Sequence, residues 1–367
     1  MRTVAETERI ANQFFEEQGE FIRRERIETP EMIGAAYDTG ALIGAVTDSE
    51  ELPHDLRQFA RNCRDEFRAE VGRSEYRFST ASGTGGMYGD YDGQLIIHYQ
   101  HYLNLDPRMA FKGAQLTGDC VSWSKRSMRD QARCFDIGHL DQAEEYVKRS
   151  ATADLYSMRG HTGAGASPSR IANAATKIGI LLENPLESPD GEVWDFSDYK
   201  QYYKWGMEYG RTGFPRWIYE ANADFGPKQV AEIHTDDEFL TALWNGCGLG
   251  LGSMMGVSKT GGKDGVPFLS ALSGSWAHDM HVLGADCRRK YHREVIVLMD
   301  QSWGGRWNRI SQWPDEYKVN GMVPEGMFAI TLTDFMRHVR RGECHALSDS
   351  HGFRPRRQAT IGFEGLI

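Results

Sequence analysis

The stretch VIVLMDQSWGGRW, residues 295–307, is the least generic part of the chain and the part that decides the fold. An apolar run typical of a buried strand ends at the polar pair Asp300 and Gln301. Trp303 and Trp307 follow, four residues apart, with glycines between them. A side-chain carbonyl at this point can accept from an imidazole N–H while an indole shields that bond from water. The stretch therefore predicts a polar site at a strand end, and the alternative is a Trp-rich turn that packs the core.

A histidine suited to this carbonyl lies upstream in WAHDMHVLGAD, residues 276–286. His278 is expected at the start of an apolar strand, six residues before Gly284, where its ring can take a proton across a cleft. His281 completes an HxxH pattern, but rings three residues apart on a strand face opposite sides. No third ligand is apparent, so we predict neither a metal site nor a cofactor. The alternative for His278 is a satisfied core histidine.

A candidate nucleophile lies in QLTGDCVSW, residues 115–123. The residues that follow lack Gly and Pro up to Phe135, which predicts a helix that opens at Cys120 with Asp119 as its N-cap. Unpaired N–H groups and the helix dipole favour thiolate in a first turn and lower the thiol pKa. The Asp119 carboxylate acts in the opposite direction. The alternative is a cysteine that is a small buried hydrophobe.

Taken in this order, the three segments resemble the papain and cathepsin family of cysteine proteases. His278 follows Cys120 by 158 residues (278 − 120), near the family's spacing. HDMHVLGAD is similar to the family's His-containing strand and QSWGGRW to its Asn-Ser-Trp-Gly turn. GASPSRIANAATKIG, residues 165–179, resembles the helix that faces the catalytic His across the cleft. The match covers about residues 113–333, and the divergent motifs suggest a bacterial or phage type.

The resemblance implies a role for each matched residue. Cys120 is expected as the nucleophile, His278 as its base, Gln115 as an oxyanion donor and Gln301 as the residue that orients His278. The supporting residues are Asp119, Asp300, Trp303 and Trp307, with Trp303 covering the contact between Gln301 and His278. Two residues depart from the family pattern. Gln115 precedes the cysteine by five residues instead of six, and Gln301 replaces an Asn that is one methylene shorter.

The resemblance and the order of elements predict an α+β, papain-like fold with two lobes. Within a domain at 101–345 we expect a helical lobe at about 113–200 and a β-barrel-like lobe at about 215–335. Residues 1–100 are expected to form a mostly helical extension, either an inhibitory pro-segment or an assembly arm, with helices at 5–26 and 55–70. Residues 346–367 form a tail. A Ser167–Pro168 cap and a Thr235–Glu238 capping box predict two further helix starts.

Composition limits the possible partners. A net charge of −10 disfavours nucleic acid as the main partner. Six isolated cysteines without CxxC argue against disulfides and structural zinc. We expect neither a signal peptide nor a membrane span, since the N-terminus is charged throughout and no run approaches ~18 apolar residues. The glycine-rich segment at 246–256 lacks the spacing of a dinucleotide loop.

These observations predict a cysteine peptidase that cleaves peptide or isopeptide bonds in a protein substrate lying between the lobes. Two alternatives are open. One is a catalytically impaired papain-like scaffold with a structural or assembly function, for example in a virion. The other is an amidase that acts on cell-wall peptides. The expected location is cytoplasmic or virion-associated.

Overall fold

The computed structural model describes residues 45–50, 52, 54–71, 76–81, 91–105, 115–140, 148–303 and 310–348. Three sequence predictions lie wholly or partly outside these ranges: the helix at 5–26, Trp307, and the tail at 346–367, of which only residues 346–348 are described and lie in a strand. Among the described helices, none is both long and apolar enough to cross a membrane.

Nine strands occur in the described ranges. In chain order they are β1 Leu95–Ile97, β2 Pro185–Glu187, β3 Val193–Asp195, β4 Gln229–Glu232, β5 Gly248–Val257, β6 Leu272–Asp286, β7 Ile296–Asp300, β8 Phe328–Thr331 and β9 Glu343–Ser348. β2 and β3 pair only with each other. The other seven form one antiparallel sheet in the order β4-β9-β5-β6-β7-β8, and β1 also pairs with β6. Strand β6 is therefore the centre of the sheet.

Ten α-helices lie in the same described ranges as these strands. In chain order they are α1 His54–Val71, α2 Phe78–Ala81, α3 Tyr99–Leu105, α4 Cys120–Leu140, α5 Ala153–Ser157, α6 Pro168–Ile178, α7 Tyr199–Glu208, α8 Arg216–Asn222, α9 Asp236–Trp244 and α10 Leu332–Arg340. The predicted helix at 55–70 corresponds to α1, and the helix predicted to open at Cys120 is α4. Within the described residues, helices dominate the first half of the body and strands the second.

Local capping explains why two of these helices were predictable. The Ser167 side chain accepts from the Arg170 N–H at the start of α6, and α6 ends at Gly179, whose φ of 88° suits glycine. At α9 both hydrogen bonds of the capping box between Thr235 and Glu238 are present. Both predicted starts are confirmed, because caps depend on residues that are close in sequence.

The buried apolar residues of the described ranges form five clusters, of which the three largest are one helical core and two cores on the sheet. The helical core joins the start of α4 to α5, α6, α7 and α8. The other end of α4 contributes Cys134 and Ile137 to a core shared with β1, α3 and β7. The predicted α+β class is confirmed. The β-barrel-like prediction is corrected, because among the described strands β4 and β8 are the outermost and do not pair with each other.

Helix α4 lies directly against strand β5 because β5 has glycine at alternate positions. A Cβ added at Gly248 would collide with the Met128 carbonyl oxygen, and one at Gly250 with the Ser124 side chain. Residues two apart on a strand face the same side. The glycine-rich segment is therefore the surface on which the helix of Cys120 packs.

Strand β6 begins earlier than the sequence predicts, and this changes the place of His278 in the strand. β6 begins at Leu272, so His278 lies within the strand and not at its start. The six preceding residues include Gly274, with φ of 71°, and register shifts against β5, features that hide a strand from sequence patterns. His278 is thereby held by ladder pairing with Ser253 of β5.

Candidate active site

The first turn of α4 meets strand β6 at the Cys120 sulfur. The Asp279 backbone N–H donates a hydrogen bond to Cys120 Sγ, with an N···S distance of 3.3 Å. Asp279 follows His278 directly in β6. The structure thus brings together two segments that are 158 residues apart, with the sulfur next to the backbone of the strand that carries the histidine.

The imidazole of His278 lies against an aromatic ring. It stacks on the Trp303 indole, with ring centroids 4.0 Å apart and an interplanar angle of 23°. Trp276 packs edge-on against Trp303 at 5.1 Å. His278 is only 1% exposed, and this burial lowers its pKa to about 3. The ring is therefore neutral near pH 7, and its burial makes it a weaker base than an exposed imidazole.

The Cys120 thiol is not activated in the described conformation. Cys120 is 0% exposed. Burial first, and then the Asp279 and Asp119 carboxyl groups, raise its pKa well above the usual value, although hydrogen bonds from backbone N–H groups act in the opposite direction. The expectation that the helix terminus would lower this pKa is thus corrected, since the loss of water outweighs the dipole.

Asp119 connects the start of α4 to two other helices. Its carboxylate accepts from the Thr152 hydroxyl at 3.2 Å and from the Tyr199 hydroxyl at 3.0 and 3.1 Å. Its backbone carbonyl accepts the N–H of Trp123, as an N-cap residue does. Burial raises the pKa of Asp119 to about 7. The side chain is therefore directed at hydroxyl groups before α5 and at the start of α7.

Gln115 is held by the turn that follows β7. Its backbone N–H donates to the Ser302 carbonyl at 2.7 Å, and its side-chain carbonyl accepts from the Ser302 hydroxyl. The Nε2 group donates to the Thr117 carbonyl at 2.8 Å. Both ends of the amide are thus engaged, so Gln115 ties this turn to the loop before Cys120.

The two polar residues at the end of β7 do not hold His278 in this conformation. The Gln301 Oε1 accepts from the Trp303 N–H in place of the predicted contact with His278. The Gln301 amide thus bends back onto its own turn. Asp300 lies opposite His281 across the β6–β7 ladder, with Oδ1 3.3 Å from Nδ1.

A small polar cavity lies beside this junction, between α4 and the ends of β6 and β7. Its wall includes Ser124, Ser127, Asp279, His281, Asp300 and Gln301. In the part of the chain that the structure describes, no three His, Cys, Asp or Glu side chains are grouped as metal ligands.

Residues 45–47, which we call the bridging segment, join the helical lobe to the sheet. The Ala45 N–H donates to the Ala277 carbonyl at 3.3 Å, and the Val46 N–H donates to the Ala166 carbonyl at 2.9 Å. Ala166 precedes α6, and Ala277 precedes His278. The segment is fully buried, and Ala45 belongs to the same apolar core as Cys120. It therefore occupies the groove between α6 and β6.

Sequence patterns missed three of these features. The Asp279 N–H is a backbone group and has no signature of its own. The bridging segment binds through backbone atoms of four residues, three of them alanine. The third feature is Lys125, which is buried about one and a half turns after Cys120. It is the one of the three that the sequence could have revealed, because a lysine on a buried helix face requires a partner.

Comparison with known proteins gave only distant structural similarity. No family model matches the chain, and no curated protein matches it. Xylellain, a cysteine protease from Xylella fastidiosa, is 14% identical over 67% of this chain and 85% of its own, with a TM-score of 0.42.

Two further solved structures are similar at the same level. Digestive procathepsin L 3 of the Tenebrio molitor larval midgut is 11% identical over 93% of this chain and 92% of its own, with a TM-score of 0.41. ProCathepsin B S9 from Trypanosoma congolense is 11% identical over 74% of this chain and 81% of its own, with a TM-score of 0.41. The function has to be argued from the site itself.

Proposed function

We propose that this chain is a cysteine-type peptidase in which Cys120 is the nucleophile, His278 is its base, and the bridging segment closes the groove. The observation that carries the proposal is the hydrogen bond from the Asp279 N–H to the Cys120 sulfur. It supports a direct approach of the thiol to the residues around His278. Nucleophilic catalysis by cysteine needs a neutral imidazole as its base, and His278 directly precedes the residue whose N–H donates to the sulfur.

The proposed reaction is acyl transfer in two stages. His278 takes the proton of Cys120, and the thiolate attacks the carbonyl carbon of a substrate amide. The Cys120 N–H at the helix start donates to the oxyanion. When the intermediate collapses, His278 gives its proton to the leaving amine and a thioester forms. Water then attacks the thioester while His278 takes its proton and returns it to the sulfur, which releases a carboxylic acid.

The bridging segment accounts for the burial of the site in this proposal. It satisfies the carbonyl groups of Ala166 and Ala277, which stand on opposite sides of the groove. An extended substrate can use the same two carbonyl groups, because backbone hydrogen bonding is independent of side chains. Substrate and bridging segment therefore compete, and the described conformation is the latent form.

The test is to open the groove and look for cleavage. A cleavage site for an unrelated protease is inserted after Ser49, and the chain is cut and separated from its N-terminal piece. We expect the cut protein to cleave a mixed peptide library, as followed by mass spectrometry, and the uncut protein to be far slower. Cys120→Ala is the matched control and should abolish cleavage without changing the circular dichroism spectrum. Equal cleavage by this variant would overturn the proposal.

A second candidate function is a non-catalytic scaffold with a papain-like fold. Two observations favour it: Cys120 is fully buried, and Gln301 contacts Trp303 instead of His278. In that case iodoacetamide should label Cys120 of the cut protein no faster than Cys247, which is also buried. Faster labelling of Cys120 together with peptide cleavage supports the peptidase.

A further inference from the structure

A buried ion pair joins the helix of Cys120 to the strand of His278. Lys125 Nζ lies 3.2 Å from Asp279 Oδ2, and both side chains are 0% exposed. Strand β5 leaves room for the pair, since a Cβ at Gly250 would lie 3.4 Å from Lys125 Nζ and one at Gly252 would lie 3.2 Å from Asp279 Oδ2. Buried pairs of this kind add little net stability, because desolvation offsets their attraction.

The same aspartate also contacts the sulfur. Asp279 donates its backbone N–H to Cys120 Sγ and pairs its carboxylate with Lys125, which is five residues after Cys120 on α4. Two contacts at different points of one helix fix its position along and around its axis. Any movement of Asp279 would therefore move the histidine next to it relative to the thiol.

Lys125 also affects the electrostatics around the Cys120 thiol, through its pairing with Asp279. The carboxylates that face Cys120 are those of Asp279 on β6 and Asp119 at the start of α4, and both disfavour the thiolate. Lys125 faces Asp279, and it also acts on Cys344 and His345 of β9. Without the ammonium group, the Asp279 carboxylate would act on the sulfur uncompensated.

We propose that Lys125 and Asp279 are positioning residues for the Cys120–His278 pair: their ion pair holds the thiol against β6 and neutralises the carboxylate nearest to it. This inference rests on the proposed function. In this inference Lys125 does not contact substrate, but it makes the thiolate of Cys120 accessible near neutral pH.

The test is the pH dependence of Cys120 alkylation in the full-length chain carrying Ala45→Arg, a substitution that displaces the bridging segment and lets the reagent reach the otherwise fully buried thiol. Lys125→Met, Asp279→Asn and the double variant are treated with iodoacetamide between pH 6 and 10, and each cysteine is quantified by mass spectrometry. We expect the midpoint for Cys120 to rise by about one pH unit in Lys125→Met and to fall by about one unit in Asp279→Asn, each about tenfold in rate near pH 7. The double variant should lie between them.

Two controls separate positioning from stability. Cys247 has no charged neighbour that acts on its pKa, so its labelling reports general opening. Lys263→Met breaks another lysine–aspartate pair, with Asp334, and should leave the Cys120 midpoint unchanged. If Lys125→Met does not fold, Asp279→Asn and the double variant still give the comparison.

The outcomes are distinct. Equal midpoints in all variants, with only a joint rise in the labelling of every cysteine, would reduce the pair to a structural role. If the midpoints shift as expected but the cut wild-type protein cleaves no peptide, the proposed function fails and the positioning pair stands.

Discussion

Trp303 determines how much water reaches His278. Its indole covers one face of the imidazole, and its own position is fixed by the hydrogen bond from its backbone N–H to Gln301. The low pKa of His278 has burial as its cause. We therefore expect Trp303 to contribute to keeping the histidine neutral in the acidic range.

Trp303→Leu should raise the pKa of His278 from about 3 toward its ordinary value of about 6.5, because the smaller side chain admits water. We expect a rise of at least about one unit, measured by NMR titration of the imidazole. Since the folded pKa lies below the unfolded one, burial of this histidine costs stability as pH falls from about 6.5 to about 3. The variant should lose less stability over that window.

The control for this titration is His345, which is buried against Phe67 and also has its pKa lowered to about 3, chiefly by burial. Its signal should not move in Trp303→Leu. A His278 pKa that stays near 3 in the variant would show that the rest of the core excludes water without the indole.

Strand β9 and helix α6 are connected by one buried carboxyl group. Glu343 Oε2 accepts from the Ser169 N–H at 3.1 Å and from its hydroxyl at 2.6 Å. Burial raises the pKa of Glu343 to about 7, although these hydrogen bonds lower it in part. The sheet and helix α6 are thus joined by the Glu343 carboxyl group, which is protonated below neutral pH.

Glu343→Gln should make stability less dependent on pH. A folded pKa above the unfolded one means that the stabilisation is complete below about pH 4 and lost as pH rises through about 7. Between pH 5.5 and 8 the wild type should lose about 2 kcal/mol more unfolding free energy than the variant, as measured by urea denaturation. Equal losses would contradict the prediction.

A matched control is Glu232→Gln on β4. Burial raises the pKa of Glu232, but hydrogen bonds from His234 and Arg68 outweigh it and lower the pKa to about 2. This group is ionised throughout pH 5.5–8 in both the folded and unfolded chain. The variant should therefore be destabilised equally at both pH values.

The contact between α4 and β5 should respond differently at its two glycines. Gly248→Ala places a methyl group on the Met128 backbone, which cannot rotate away, and should cost about 3 kcal/mol of unfolding free energy or more. At Gly250 the obstructing atoms are side-chain ends of Ser124 and Met128, so Gly250→Ala should cost about 1–2 kcal/mol. Urea denaturation of both variants checks the order, and a reversed order would contradict it.

For the whole molecule, the bridging segment should control access to Cys120. Ala45→Arg introduces a long cation into a fully buried position and should displace the segment from the groove. We expect iodoacetamide to label Cys120 at least about tenfold faster than in the wild type, with Cys247 unchanged as a measure of general unfolding. The control is Ala221→Arg on an exposed position of α8. Unchanged labelling of Cys120 would contradict the expectation.

The sequence predicts the local parts of this architecture better than the long-range ones. The starts of α6 and α9 follow from Ser167 and Thr235, because a cap acts within one turn. The open sheet, the length of β6 and the direction of the Gln301 amide depend on partners far along the chain. The bridging segment is bound through backbone groups, which every sequence contains.

Glycine at alternate positions of β5 has a consequence for how such chains are annotated. In a library that varies each position, tolerance along residues 248–252 should alternate, with glycine required at even numbers and apolar side chains accepted at odd ones. The odd positions Leu249 and Leu251 point into the sheet core. This pattern of glycines records only how near a helix lies to a strand, so closely spaced glycines in such a chain are no evidence of a nucleotide-dependent enzyme.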